Sequence, residues 1–406
     1  MSTRELAPEA TSSLGAFRYL WSASLISTLG DGALLSALPL LAASLTGDPR
    51  LISAVTVTGR LPWLTLALFG GVLVDRLDRH RLMRWTQAGQ MLLVTLITLV
   101  AALGLARIWM LCLFAFAVGV GDVLFQGSSQ ALVPDIVGRG DLDAANGRLV
   151  AAEAVSHDFL GPPVGSVLFV LAVAAPFGLD AVSFAISLLL ITRIKPPPRA
   201  VSAAPRRPVL AEIGEGLRWL ARARLPRTLT LITAGGNFCE AMALSLLVLF
   251  ARQVLGVGGV GYGVLLAAMA AGGVAGGLIS AKAVSRLGAR NVAIAVEVIS
   301  PAAWLAIAAF GRNVIIVVAL FTVFSFALSM WNVVSMSTRQ RMVPNELLGR
   351  VVTASRMLAY GATPLAALVG GFVASEYGLI APWLVGGVLS LMVAVVSLPS
   401  LWRWDS

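Results

Sequence analysis

The sequence predicts an all-α membrane protein of twelve transmembrane helices, arranged as two pseudo-symmetric bundles of six. Three observations carry that prediction: an apolar composition, apolar runs of membrane-spanning length along the whole chain, and a repeat that relates its two halves. Of the residues, 58% are hydrophobic and 12% charged, and the mean hydropathy is +0.88, whereas a soluble domain carries roughly 25% charged residues. A soluble fold has no interior large enough to hide that much apolar surface. Stretches of ~20 apolar residues, enough to cross a ~30 Å hydrocarbon layer, recur with short polar breaks. They are continuous, as from Met91 to Ala106, and lack the ~10-residue alternation of barrel strands.

With Gly, Pro and charge as punctuation, the first six spans fall near 17–45, 51–74, 82–106, 108–133, 145–174 and 177–194. The second six fall near 228–253, 260–284, 290–310, 313–337, 350–375 and 381–402. The first stretch, Phe17 to Leu45, exceeds a signal-peptide core and contains Asp31, so it reads as a retained span. Three parts follow: a bundle at 1–194, a cytoplasmic linker at 195–227 and a second bundle at 228–406. The linker holds Pro196, Pro197, Pro198, Pro205 and Pro208, and nine basic residues lie between Arg193 and Arg227 inclusive. Its stretch from Val209 to Ala223 has the pattern of an interfacial amphipathic helix.

With both termini in the cytoplasm, four of the thirty Lys and Arg residues fall outside (Arg50, Arg107, Arg252, Arg312) and two within spans (Arg60, Arg356). The other 24 are cytoplasmic, the asymmetry expected of a multi-pass protein in a bacterial inner membrane. The same bias accounts for the net charge of +10 without a nucleic-acid partner. Two cysteines, Cys112 and Cys239, sit inside apolar runs and indicate neither a disulfide framework nor a metal site.

Shifting one half by 206 residues lays Gly236-Asn237 over Gly30-Asp31 and Gly276-Gly277 over Gly70-Gly71, and further along Val343-Pro344 matches Val133-Pro134. Duplicated halves are common among secondary transporters, whose substrate and ion sites lie near the bilayer midplane between the repeats.

The run Gly70-Gly71-Val72-Leu73-Val74-Asp75-Arg76-Leu77-Asp78-Arg79-His80-Arg81 resembles the signature loop of the major facilitator superfamily. The resemblance implies the major facilitator fold and assigns Gly71, Asp75, Arg76 and Arg79 to a cytoplasmic gate. There an Asp at a helix end and the arginines after it can form charge pairs and cap a neighbouring helix. Asp78 stands where Gly is frequent, and Ala281 occupies the Asp position in the second half, so a one-sided latch is expected. The element Gly161-Pro162-Pro163-Val164-Gly165-Ser166 is similar to the Gly-Pro-x-x-Gly-Gly element of antiporters, which implies a hinge at Gly161, Pro162 and Gly165, with a purely structural Pro kink as the alternative; small residues and Pro let helices approach and bend. The fourth span shows Gly121-Asp122 and Gln126-Gly127 in place of the Arg that many proton-coupled relatives carry. With the Val343 to Arg350 run and Pro364, the chain is most similar to the macrolide-efflux and enterobactin-exporter branch of drug:proton antiporters, which implies a monomer.

Ionisable residues inside spans cost several kcal/mol unless paired, hydrated or protonated, so each is a functional candidate. Asp31 lies about 14 residues into the first span, ~21 Å deep at ~1.5 Å per residue, and Arg60 about nine residues into the second from outside, ~14 Å deep. The two are expected to pair, or to share a water-filled cavity in which a proton or a cationic substrate competes for Asp31. A static buried pair that fixes packing is the alternative. Glu153 and His157 share a face of the fifth span at i, i+4, with Asp158 about 100° round the helix, and a carboxylate beside an imidazole can relay protons. In the second half Asn237 and Glu240 share a face, and Arg356 is a further candidate. Glu297 is expected at a helix interface, whereas Asp122 and Asp180 receive no role. Trp63, Phe125, Trp304, Met330 and Trp331 could line a greasy pocket, although Trp near span ends is commonly a membrane anchor.

The functional expectation is a secondary active transporter, a proton-coupled exporter of amphiphilic small molecules such as drugs or siderophores, working by alternating access. Its expected partners are a small-molecule substrate, protons and membrane lipid, with no cofactor and no metal. An uptake symporter or an uncoupled lysophospholipid flippase of the same fold is the alternative. The sequence has no Gly-x-x-x-x-Gly-Lys-Ser/Thr run for ATP. With His80 and His157 its only histidines, and neither a His-Glu-x-x-His motif nor a Gly-x-Ser-x-Gly elbow, it gives an enzyme little to work with.

Overall fold

A computed structural model describes residues 7–65, 78–137, 142–194, 209–344 and 347–404, and every regular element among them is helical. In chain order the first helices are α1 (Ala7–Leu45), α2 (Pro49–Thr65), α3 (Arg79–Ala102), α4 (Ile108–Ile136) and α5 (Leu142–Glu153), then a π-helical turn (Ala154–Leu160), α6 (Gly161–Leu171) and α7 (Ala175–Thr192). There follow α8 (Val209–Arg222), α9 (Arg224–Leu244), a short stretch Leu247–Leu249 running into a second π turn (Phe250–Val254), α10 (Gly259–Leu287), α11 (Ala289–Phe310), α12 (Val314–Met342), α13 (Leu348–Gly361), α14 (Thr363–Tyr377) and α15 (Ala381–Trp402). Backbone contacts divide the chain into two compact units, Met1–Leu45 with Thr58–Ala204 and Thr46–Val57 with Pro205–Ser406.

Helices are the outcome physics requires, because a backbone in hydrocarbon must satisfy its polar groups internally. Ten helices among the described residues are long and apolar enough to cross a bilayer. Arg224–Leu244 and Leu247–Val254 form an eleventh if taken as one span bent by 44°. The expected second span leaves the described residues after Thr65, as do Gly71, Asp75 and Arg76 of the expected gate and residues 195–208 of the linker. The expected seventh span, 228–253, covers that bent pair, and the fifth is interrupted by the π turn. The second interruption has a local cause: Pro162 and Pro163 bring no backbone N–H, so the ordinary ladder cannot pass through them. The ladder instead steps i to i+5, with Gly161 N–H bonded to Ser156 O.

Helix ends obey ordinary chemistry. Asp78 caps α3 by accepting from Arg81 N at 2.8 Å, and Asn313 caps α12 by accepting from Ile315 N and Ile316 N. Gly288 separates α10 from α11 at φ +80°, a conformation other residues rarely adopt.

The two units repeat one packing scheme. In the first, α1 packs on α4, α5, α6 and α7, and Phe17, Leu20, Met83, Leu132 and Ile191 build a core from α1, α3, α4 and α7. In the second, Leu229, Val292, Trp331 and Leu401 build the equivalent core from α9, α11, α12 and α15. Close helix approach rests on small residues. Gly272 and Gly276 of α10 press on the carbonyls of Thr322 and Phe326 of α12, where a Cβ would overlap them. Gly119 of α4 meets the carbonyl of Gly59 in α2, where an added Cβ would sit at 2.6 Å.

The expected amphipathic stretch is helix α8, and its apolar side is turned onto protein. Ile213 and Leu220 are buried, Leu220 packs with Val343 and Val351, and Gly216 presses on the carbonyl of Arg350 at the start of α13. Arg350 Nη1 lies 2.8 Å from Glu215 Oε2.

Within the second unit, the first turns of α2 pack against α14. Arg50 Nε donates to Ser375 Oγ at 2.8 Å, Arg50 Nη2 pairs with Glu376, and the guanidinium lies 5.1 Å from the centre of the Phe372 ring. Both charged side chains are substantially exposed, so this is a modest tie. Arg50→Gln is expected to lower stability by about 1 kcal/mol or less, with the loss shrinking as salt is added. Melting curves at low and high ionic strength test this, and a salt-independent loss would contradict it.

Candidate functional site

The first unit holds a group of carboxyls facing the middle of α1. Asp31 is flanked by Gly30 and Gly32, and those glycines set the geometry. Gly30 seats directly against the Asp180 carboxylate and the Ser183 hydroxyl of α7, where a Cβ would overlap both. On the other side, Gly32 faces the His157 carbonyl and Gly161 faces Gly32, each with room for no Cβ beyond 2.5 Å. Gly165 presses on Ala33 O, and Ser36 Oγ donates to Pro162 O at 2.8 Å. Gly161, Pro162 and Gly165, expected to form a hinge, are thus brought to α1, and the π turn with them.

Three buried or half-buried acids carry the electrostatics. Asp31 Oδ1 is buried with no hydrogen-bond partner, and the charges of Asp122, Asp180 and Glu153 act on it. Asp180 is fully buried. Ser183 Oγ donates to Asp180 Oδ1 at 3.0 Å, while Asp180 Oδ2 has no partner. Asp122 accepts from Gln90 Nε2 at 2.8 Å and lies within electrostatic range of His157 and Arg60. Gln87 and Gln90 of α3 are buried beside them; Gln87 Nε2 donates to Ser27 Oγ at 3.4 Å, and the Oε1 atoms of both have no partner. A buried carboxylate normally has its lone pairs filled, so these orphan oxygens are acceptors waiting for a proton or a cation.

Of the residues expected here, Asp31 lies in this group and Arg60 lies exposed on α2. Among the described residues Arg60 makes no ion pair with Asp31, and its charge acts instead on Asp122. His157 Nδ1 and Asp158 Oδ1, on adjacent residues of the π turn, are 2.8 Å apart; Glu153 is exposed at the end of α5. Sequence reasoning passed over Asp122 and Asp180. The signal that finds Asp122 is its position inside an apolar span, whereas Asp180, near the start of its span, is found only by the glycine that receives it.

The second unit treats the related positions differently. Asn237, the counterpart of Asp31, donates from Nδ2 to Ala359 O at 2.9 Å, tying α9 to α13. Glu240 follows one turn later on α9, and Arg356 is exposed on α13. Arg79 opens α3 just after the Asp78 cap. Glu297 is buried on α11, where Ser397 Oγ of α15 donates to it at 3.5 Å, as expected for an interface residue. The greasy-pocket expectation changes for several residues: Trp304, Met330 and Trp331 are buried core. Trp304 stacks on Trp383 at 5.1 Å, and Trp331 Nε1 donates to Thr233 Oγ1 at 3.0 Å. Phe125 is buried too, and Trp63 remains exposed.

Comparison with known proteins agrees with this architecture. A sequence profile for a family described as transmembrane secretion effector matches residues 5–405. Over 399 residues the chain is 27% identical to the multidrug efflux pump Tap of Mycolicibacterium fortuitum, covering 94% of this chain and 95% of the pump. A shorter match, 24% identity over 153 residues and 38% of each chain, is to macrolide efflux protein A of Streptococcus pyogenes. Among solved structures, a bacterial homologue of the iron transporter ferroportin, in its inward-facing state, superposes with a TM-score of 0.78 at 15% identity, covering 96% of this chain and 99% of that one.

Proposed function

Since the chain belongs to the transmembrane secretion effector family of the major facilitator superfamily, we propose that it is a proton-coupled exporter of amphiphilic small molecules such as drugs or siderophores. The observation that carries the reading is the pair of acids with unfilled buried oxygens, Asp31 on α1 and Asp180 on α7, with the half-buried Asp122 of α4 acting on both, in a chain that matches an efflux pump over nearly its full length. A proton, or the cationic group of a cargo, is the charge that such a site can accept and release without leaving a permanent ion in hydrocarbon.

In this scheme the protein sits in the inner membrane with both termini in the cytoplasm, and the two bundles, 1–194 and 228–406, are joined by the 195–227 linker. Protons arriving from outside occupy the acids and displace cargo there. Their loss to the cytoplasm readies the site for the next molecule. His157, Asp158 and Glu153 provide the route towards the acids, with Arg60 beside Asp122. Gly161, Pro162 and Gly165 form the flexing contact with α1, and Asn237, Glu240 and Arg356 are the candidate residues of the second bundle. Gly71, Asp75, Arg76 and Arg79 latch the cytoplasmic side.

The test is reconstitution in liposomes carrying a pH-sensitive dye, with an imposed proton gradient and a panel of amphiphilic drugs and siderophores, for the wild type and Asp31→Asn. Compound-dependent proton flux that is lost in the variant is the expected result. Asp31→Asn with full pH-driven transport would remove Asp31 from the mechanism. Compound movement without proton flux would favour an uncoupled, lipid-moving protein.

A further inference from the structure

Helix α2 is divided between the two compact units. It runs as one α helix from Pro49 to Thr65, yet backbone contacts place Thr46–Val57 with the second unit and the chain from Thr58 onward with the first. Each part has its own glycine seat. In the first unit a Cβ on Gly119 of α4 would meet the carbonyl of Gly59 at 2.6 Å and Pro62 Cγ at 3.1 Å. In the second unit a Cβ on Gly371 of α14 would lie 2.7 Å from Ser53 Oγ, 2.9 Å from Ser53 Cβ and 3.2 Å from Pro49 O. Ser53 and Gly59 are six residues apart, which sets the two seats about 9 Å apart along the helix.

The seats differ in what holds them. The one on α4 is backbone and apolar atoms in close contact, Gly59, Pro62 and Gly119. The one on α14 is finished by charge: Arg50 Nε donates to Ser375 Oγ at 2.8 Å, Arg50 pairs with Glu376, and its guanidinium covers the Phe372 ring. The paired side chains are 45% and 62% exposed, and a cavity of about 550 Å³ lined in part by Asp48, Arg50, Gln253 and Ser375 adjoins them. Water and ions therefore reach this pair, and an exposed pair is weak and screened by salt. Beneath it Ser53 is fully buried, and its hydroxyl has no hydrogen-bond partner among the described residues. An unpaired buried hydroxyl is a cost that ends when water reaches it. Of the two seats, the one on α14 is the one that opens.

We propose that Pro49–Val57 is a salt-sensitive strap. It lifts from α14 as an intact helix, pivots on the seat between Gly59 and Gly119, and closes again when Arg50 recovers Ser375 and Glu376. Ionic strength sets the share of time it spends closed. The strap involves no proton and no cargo, so it stands apart from the exporter reading.

The test uses the full chain in phosphatidylcholine nanodiscs, carrying Cys112→Ser and Ser53→Cys, with the buried Cys239 as internal reference. Alkylation of both thiols by N-ethylmaleimide is followed by mass spectrometry, beside amide hydrogen exchange over residues 51–57. The thiol introduced at position 53 should react while Cys239 stays protected. Its rate should rise about two- to fivefold in Arg50→Gln and in Glu376→Gln, the range that loss of an exposed ion pair gives. Added salt should speed the reaction in the parent and leave Arg50→Gln unchanged. The amides of 51–57 should stay protected while the thiol reacts, as a lifting helix requires. A second measurement leaves the seat untouched: spin labels at Leu51→Cys and Tyr377→Cys, both exposed positions, with Cys112 and Cys239 replaced by Ser, should give a second, longer distance whose share grows with salt. The proposal falls if the introduced thiol reacts no faster than Cys239, or if salt and both charge variants leave its rate unchanged. It falls equally if the amides exchange in step with the thiol, because the helix is then unwinding, or if the spin labels give a single distance at every salt concentration.

Discussion

Gly272→Val is expected to destroy the pairing of α10 with α12, whereas Gly273→Val, one residue along, should be close to neutral. Gly272 lies against Thr322 O, and four residues later Gly276 lies against Phe326 O, both without room for a Cβ. No atom of a neighbouring element comes within 4 Å of the Cβ position at Gly273. Between helices in lipid there is no hydrophobic drive to restore a contact once the backbones are held apart, because the tails are as apolar as the side chains. Overpacking costs typically 1–3 kcal/mol in a soluble core, and more where rigid backbone is the obstacle. We therefore expect Gly272→Val to give little monodisperse protein on gel filtration and a strongly lowered melting temperature. Equal behaviour of the two variants would mean that the α10 and α12 contact does not limit stability.

Asp180→Asn should have the opposite profile, folding normally while transporting poorly. Asparagine keeps the shape of the side chain and leaves Ser183 an acceptor in place of Asp180 Oδ1, so the 3.0 Å contact can persist. It removes an ionisable group from a position with no exposure, where an unpaired charge is costly. What the amide cannot do is bind and release a proton. Proton-driven transport is expected to fall by about tenfold or more, the change that 1.4 kcal/mol of lost coupling produces, with the melting temperature unchanged or higher. Transport at wild-type rate would assign Asp180 to packing and leave Asp31 and Asp122 to carry the coupling.

The fold was legible because a bilayer imposes its requirement on every residue of a span, and composition alone reports it. Asp180 was not legible: it stands near the start of its span, where hydropathy cannot distinguish a wet mouth from a buried face. Trp304 and Trp331 were ambiguous because an indole suits a core, an interface or a pocket equally well, and only packing decides. The π turn that interrupts the fifth span was not legible either, because the 3.6-residue periodicity used to assign faces cannot represent it.

That π turn also fixes the helical phase of the fifth span. Each residue turns an α helix by about 100°, so one extra residue between Ala154 and Leu160 rotates everything after it relative to everything before. Gly161 and Gly165 face α1 only with that rotation in place. The span is two half-helices set to different clocks, and shortening the turn by one residue would swing the glycines away from Gly32 and Ala33 and bring bulkier neighbours round. A stretch that looks like ordinary apolar filler is thus intolerant of a change in length, even where it accepts changes in side chain.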